Sequence, residues 1–127
     1  MNNIIKENKI ENIIYEIRGK QVMLDSDLAR LYECKNGTKE INQAVKNNKD
    51  KFPERYCFRI SKIEFEYLWS KNLTANNKIS FAKRRNYPVV FTEQGIYMLA
   101  TILKSKVAAS TTIAIMDAFV LIRKYIK

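Results

Sequence analysis

The sequence predicts an α+β fold: mostly helical, with a small antiparallel sheet, a helix-turn-helix-like pair in its first half and two long C-terminal helices. Three observations carry this. "IIYEIRGKQVML" places two short apolar-rich runs around Arg18-Gly19-Lys20, the pattern of a β-hairpin. "DSDLARLYE" and "TKEINQAVKNNKDKF" both keep apolar residues at helical spacing, on either side of an Asn36-Gly37 turn signal. After Gly95 neither Gly nor Pro interrupts the chain, so residues 93 to 104 and 106 to 126 read as two helices broken near Ser105.

Taken in order, residues 1 to 12 are polar with scattered isoleucines and are expected to be a frayed, flexible lead-in. The hairpin follows, with Gly19 suited to positive φ. Asp25 or Ser26 can cap the next helix, whose Leu24, Leu28, Leu31 and Tyr32 keep helical spacing. "CKNG" ends it, and Thr38 can cap a second helix over 38 to 51. In that helix Ile41, Ala44, Val45 and Phe52 share one face. Lys39, Asn42, Gln43, Lys46 and Asp50 lie opposite, Lys49 sits at the margin, and Pro53 stops the run. "YCFRIS" alternates Tyr56, Phe58 and Ile60 against Cys57 and Arg59, as a half-buried strand does. "KIEFEYLWSKN" returns to helical spacing through Ile63, Phe65, Leu68 and Trp69. Residues 73 to 86 form a polar, basic loop, with a possible strand near Ile79 to Phe81. "YPVVF" is a short strand, and Thr92 an N-cap for the helix behind it. Nothing repeats and no linker divides the chain, so residues 13 to 127 read as a single domain. The pattern stops in mid-helix at Lys127, which suggests the N-terminal part of a longer protein.

Charge narrows the function. The formal net charge is +10. Residues 35 to 62 hold eight bases against Glu40, Asp50 and Glu54, while residues 71 to 87 hold five bases and no acid. Those two windows contain the entire excess, and clustered positive charge on a small domain suits a polyanion, most often nucleic acid. The competing reading is compositional: 16 Lys, 16 Ile and 12 Asn are what A/T-rich codons supply.

Several classes are set aside. Without histidine there is no Cys/His zinc site and no histidine general base. No glycine-rich phosphate loop can be built from three scattered glycines, and no carboxylates pair at a recurrent catalytic spacing. No enzymatic activity, cofactor, metal or small-molecule substrate is therefore expected. Cys34 and Cys57 are expected to be free thiols. The most apolar run, Val107 to Ile122, is too short and too polar to span a membrane. Nor is a charged-then-apolar leader expected at the N-terminus, because Glu7, Glu11 and Glu16 interrupt the apolar residues. A cytoplasmic protein is expected.

Two short amphipathic helices joined by a turn make a helix-turn-helix possible. The first packs behind while the second presents its polar side to the major groove. Asn42 and Gln43 suit an adenine edge, Lys39, Lys46 and Lys49 can reach guanine or phosphate, and Thr38 and Asn47 are further candidate contacts on the same helix. Arg55 and the acid-free Lys83-Arg84-Arg85 loop are further candidates, with Arg18, Lys20 and Arg59 as backbone contacts. The structural alternatives are a solvated loop at 83 to 85 and, for Arg59, a strand arginine paired with Glu54 or Glu64.

Four stretches together resemble a known family. "DSDLARLYE", "KFPERYCFRIS" and "YPVVFTEQGIYMLATILKS" stand in the order and spacing typical of the Orf-six-N domain, and "IAIMDAFVLIRKY" is similar to the family's last helix. The resemblance covers about residues 13 to 125. It implies a small α+β DNA-binding domain of phages, prophages and bacterial genomes, related to KilA-N and Bro-N, whose members often act as antirepressor-like regulators. "INQAVKNN" matches a family segment in which Asn42, Lys46 and Asn47 stand at polar positions. Two departures are visible: Phe81 and Ala82 replace the glycines that often precede the basic pair, and the "CKNG" turn is longer than usual. The expected partner is double-stranded DNA. The last helix, 106 to 126, is apolar nearly all round, which suits a homodimer. The alternative function is a protein-interaction or oligomerisation module whose basic charge is incidental.

Overall fold

The hairpin forms where the sequence places it. In the computed structural model, which describes residues 9–71, 86–103 and 105–125, a 3-10 turn at Ile10–Ile13 leads into β1 (Tyr15–Ile17) and β2 (Lys20–Leu24). Pairing of Ile17 with Lys20 leaves only Arg18 and Gly19 in the loop, at φ 55° and 72°. Two positive φ values make a type I′ turn, whose twist matches that of the strands. The strain at Arg18 is offset by its side chain, which lies over the Phe58 ring and donates to Glu64. Of the expected lead-in, residues 1 to 8 fall outside the described residues, whereas Ile10 and Ile13 are buried against the last helix.

Four antiparallel strands make one sheet in the order β1-β2-β4-β3. β3 is Cys57–Arg59 and β4 is Val89–Thr92. β4 is central, pairing Val90 with both Leu24 and Phe58, and all four of its residues are buried. That explains why "YPVVF" reads as a continuous apolar run: helices cover the sheet, so neither face of its central strand meets water. β3 shows the expected alternation, with Phe58 and Ile60 buried and Arg59 exposed.

Helix α1 (Asp25–Leu31) follows β2 without a loop. Asp25 is its first residue rather than a cap, and no side chain caps it. α2 (Thr38–Lys46) likewise departs from expectation at both ends. Gly37, at φ 61°, takes the N-cap position and Thr38 is the first helical residue. The helix expected over 38 to 51 stops at Lys46, and a 3-10 turn at Lys49–Lys51 follows. The Asn48 amide donates to the Ala44 carbonyl at 2.9 Å, the local side-chain bond by which Asn competes with helix propagation. The turn delivers Phe52 edge-on to Phe91, with ring centroids 6.2 Å apart.

α3 (Lys62–Lys71) opens with a capping box: Ser61 N donates to Glu64 Oε1 at 2.7 Å, and Glu64 N donates to Ser61 Oγ at 3.2 Å. The loop expected over 73 to 86, with its strand near Ile79 to Phe81, lies outside the described residues as far as residue 85. α4 (Glu93–Ile102) and α5 (Ala108–Tyr125) are the two long helices, broken near Ser105 as expected. Thr92 caps α4 by accepting from Gly95 N. The start of α5 is fastened to the end of α1 through Tyr32 and Thr112 hydroxyls 2.7 Å apart. Its far end meets the start of α4 through an Arg123–Glu93 ion pair, so the two helices run antiparallel. Among the described residues no helix is long and apolar enough to cross a membrane.

Candidate nucleic-acid interface

α2 is held by its inner edge. Ile41 is fully buried, Ala44 and Val45 are half-buried, and the helix packs chiefly on α1. What then faces outward is a ridge of Lys39, Gln43 and Lys46, all exposed. The spacing of four and three residues puts them on one side of the helix.

Asn42 does not belong to that ridge. Its Nδ2 donates to Asp25 Oδ2 at 3.1 Å and to the Thr38 carbonyl at 3.3 Å. Asp25 is fully buried; its Oδ2 also accepts from Val89 N at 3.2 Å, and its Oδ1 from Ser26 N at 2.8 Å. One carboxylate thus joins α1, α2 and the central strand. A buried carboxylate needs such donors, since desolvation without them costs several kcal/mol (on the order of the effective penalty per buried ion). The amide expected to face a base edge is therefore engaged inside the protein. Thr38 is half-buried, its carbonyl used by Asn42.

On the other flank of α2, Asn36, Lys39, Gln43, Asn47 and Asn48 line a groove of about 790 Å³ whose opposite wall is Ile102 and Leu103. Gln43 Nε2 donates to Asn47 Oδ1 at 2.9 Å, a pair one helical turn apart that holds both amides in place. Glu40 also reaches this groove and accepts from Asn36 N, so the groove is less positive than the ridge above it.

The cations divide into two sets. Arg18 is neutralised: Nε donates to Glu64 Oε2 at 2.7 Å, and Nη1 lies 3.4 Å from Glu54 Oε2. The guanidinium holds the Glu64 carboxyl below its ordinary range. Arg59 donates to the Tyr87 carbonyl, so the acids suggested for it serve Arg18 instead. Among the described residues Lys20, Lys39, Lys46, Lys49 and Arg55 have no ion-pair partner. Lys49 is exposed on the 3-10 turn beyond α2, and Lys83, Arg84 and Arg85 lie outside the described residues.

Two residues carry roles that the local sequence does not signal. Asp25 reads there only as a possible cap, and nothing local marks it as the partner of Asn42. Arg123 is hidden in an apolar helix, yet it lines one cleft with Lys20 and Arg55. Burial pushes both Cys34 and Cys57 up to about 11, which keeps these thiols protonated at neutral pH. Among the described residues no cluster of three or more His, Cys, Asp or Glu side chains could hold a metal ion.

Neither a search of curated proteins nor one of solved structures found a match. A family model, the ORF6N domain, matches residues 12–102. That span runs from inside the 3-10 turn to the last residue of α4 and leaves α5 outside it. It takes in the whole sheet, the Asp25–Asn42 joint and the α2 ridge, and over it the chain belongs to the ORF6N domain family.

Proposed function

We propose that the chain is the duplex-DNA-binding domain of a phage- or prophage-type regulator, antirepressor-like in role and acting in the bacterial cytoplasm. Its reading element is α2, through Lys39, Gln43 and Lys46. The observation that carries this is the exposed ridge itself, whose two lysines have no ion-pair partner among the described residues. Gln43 can bond an adenine edge, and the lysines can reach guanine or phosphate. Lys49 and the Lys83 to Arg85 segment would add backbone contacts. Asn42 enters this reading as the residue that sets the helix, not as one that touches a base. In a titration of duplex DNA, the triple change of Lys39, Gln43 and Lys46 to Ala is expected to weaken binding about 100-fold or more, at 1–3 kcal/mol for a good base contact. The melting temperature should hardly move, because all three side chains are exposed. Undiminished affinity in the triple variant would remove α2 as the reading element.

A second reading has its own observation. α5 leaves Ile113 61%, Val120 46% and Leu121 38% exposed on its outer side. Such a face suits a second copy of the chain or another protein, and it favours an interaction module. Salt dependence separates the two readings: DNA affinity that falls steeply with salt supports the first, and no binding at low salt supports the second. Sedimentation at tens of micromolar tests the homodimer directly, a mass near 14.9 kDa counting against it.

A further inference from the structure

Away from α2, three cations from three separate elements converge. Lys20 begins β2, Arg55 precedes β3 and Arg123 lies near the end of α5, and all three line one cleft of about 420 Å³. Gln21 and Gln94 add amide groups to its wall, and Phe119 closes its inner side. Among the described residues the one acid that lines it is Glu93, paired with Arg123. Three cations against one carboxylate leave a surplus of two positive charges, carried by Lys20 and Arg55, which have no ion-pair partner among the described residues.

Arg55 is not placed there loosely. The Thr92 hydroxyl donates to the Arg55 carbonyl at 2.9 Å, and Thr92 N donates to the Tyr56 carbonyl at 3.0 Å. Gly95 lets that same carbonyl approach so closely that a β-carbon there would sit 2.0 Å from it. The "FTEQG" stretch thereby fixes the backbone from which Arg55 reaches into the cleft. Arg55 also lies 5.5 Å from the Tyr56 ring centre, a contact that steadies the guanidinium while leaving its N–H groups available.

We propose that this cleft is a phosphate site: Lys20, Arg55 and Arg123 grip one phosphate oxyanion, and Glu93 is the internal anion it displaces from Arg123. A guanidinium presents parallel N–H donors that fit phosphate oxygens as well as carboxylate oxygens, which is what permits the exchange. The phosphate is a backbone phosphate of bound duplex DNA. This source rests on the DNA-binding reading above; the site itself does not.

Two variants and two ligands test it. Changing Lys20 and Arg55 together to Gln is expected to weaken duplex binding about tenfold for any sequence and to lower the salt slope by about two. Glu93→Gln removes the competing anion and should raise duplex affinity about threefold, each released phosphate contact being on the scale of one counterion. Equal affinity and slope in the double variant, or unchanged or weaker binding by Glu93→Gln, would overturn the proposal even if the α2 variants abolish binding. The second arm uses inorganic phosphate. The guanidinium Nε–H resonances of Arg55 and Arg123 should shift saturably with sodium phosphate but not with sodium chloride at equal ionic strength, and the Arg123 shift should vanish in the double variant. Absence of that shift would also overturn it. A saturable shift in a protein that binds no duplex would sustain the site with a free phosphate as ligand, and would remove the DNA reading instead.

Discussion

The side-chain amide of Asn42 lies 3.1 Å from a carboxylate oxygen of Asp25, and through that contact the second helix is tied to the first and to the central strand. The ridge of Lys39, Gln43 and Lys46 inherits its orientation from this joint. Its exposed face and its fastening are thus divided between neighbouring side chains of one short helix.

Asn42→Ala should therefore act on stability before it acts on binding. A fully buried carboxylate loses one of its donors, at a cost of about 1–3 kcal/mol. For a domain of this size that lowers the melting temperature by roughly 3 to 15 °C. Thermal unfolding followed by circular dichroism checks it; an unchanged midpoint would show that the contact carries no weight.

Gly95→Ala should be among the most damaging single changes. The added β-carbon would meet the Tyr56 carbonyl oxygen at 2.0 Å, and that oxygen is backbone already bonded to Thr92 N. β3 and α4 cannot separate without breaking the sheet edge, so a loss of about 3 kcal/mol or more is expected. Urea unfolding gives the number.

Thr92→Val keeps the shape and deletes the hydroxyl. It removes the α4 cap and the bond to the Arg55 carbonyl, which should cost about 1–2 kcal/mol. Thr92→Ser retains the oxygen and is expected to recover most of that loss, which separates the hydrogen bonds from the packing of the methyl group.

Glu64→Gln isolates an ion pair, because Gln can still close the capping box with Ser61. Hydrogen bonding to Arg18 is the largest cause of the lowered Glu64 pKa. A carboxyl with a lowered folded pKa stabilises the protein above its unfolded value, about 4.3, and loses that contribution as pH falls through the folded value. Arg18 is 38% exposed, so the wild-type advantage at neutral pH should stay below about 1 kcal/mol. Unfolding curves from pH 7 downward should show the difference in full at pH 7 and shrinking once the pH falls below about 4.3.

The parts of this structure that the sequence announces are those decided locally. Arg18-Gly19 sets a two-residue turn, Thr92 caps its own helix, and the break near Ser105 separates two long runs. Asn42 shows where local reading ends. On a helical wheel it belongs with Lys39 and Gln43, and only Asp25, 17 positions away in sequence, turns it inward. The shortened α2 has a similar origin, since the Asn48 side chain bonds the Ala44 carbonyl and Phe52 is drawn to Phe91. The meeting of Lys20, Arg55 and Arg123 is further still from local pattern, because sheet pairing and helix packing bring them together.

The division of labour along α2 bears on how such domains diversify. Ile41 and Asn42 carry the attachment, while the exposed Lys39 and Lys46 take part in no ion pair and Gln43 bonds only to its neighbour Asn47 among the described residues. Substitutions at those outward positions leave the fold's energy nearly untouched. Selection can thus exchange one set of outward side chains for another without first finding a compensating change elsewhere in the fold.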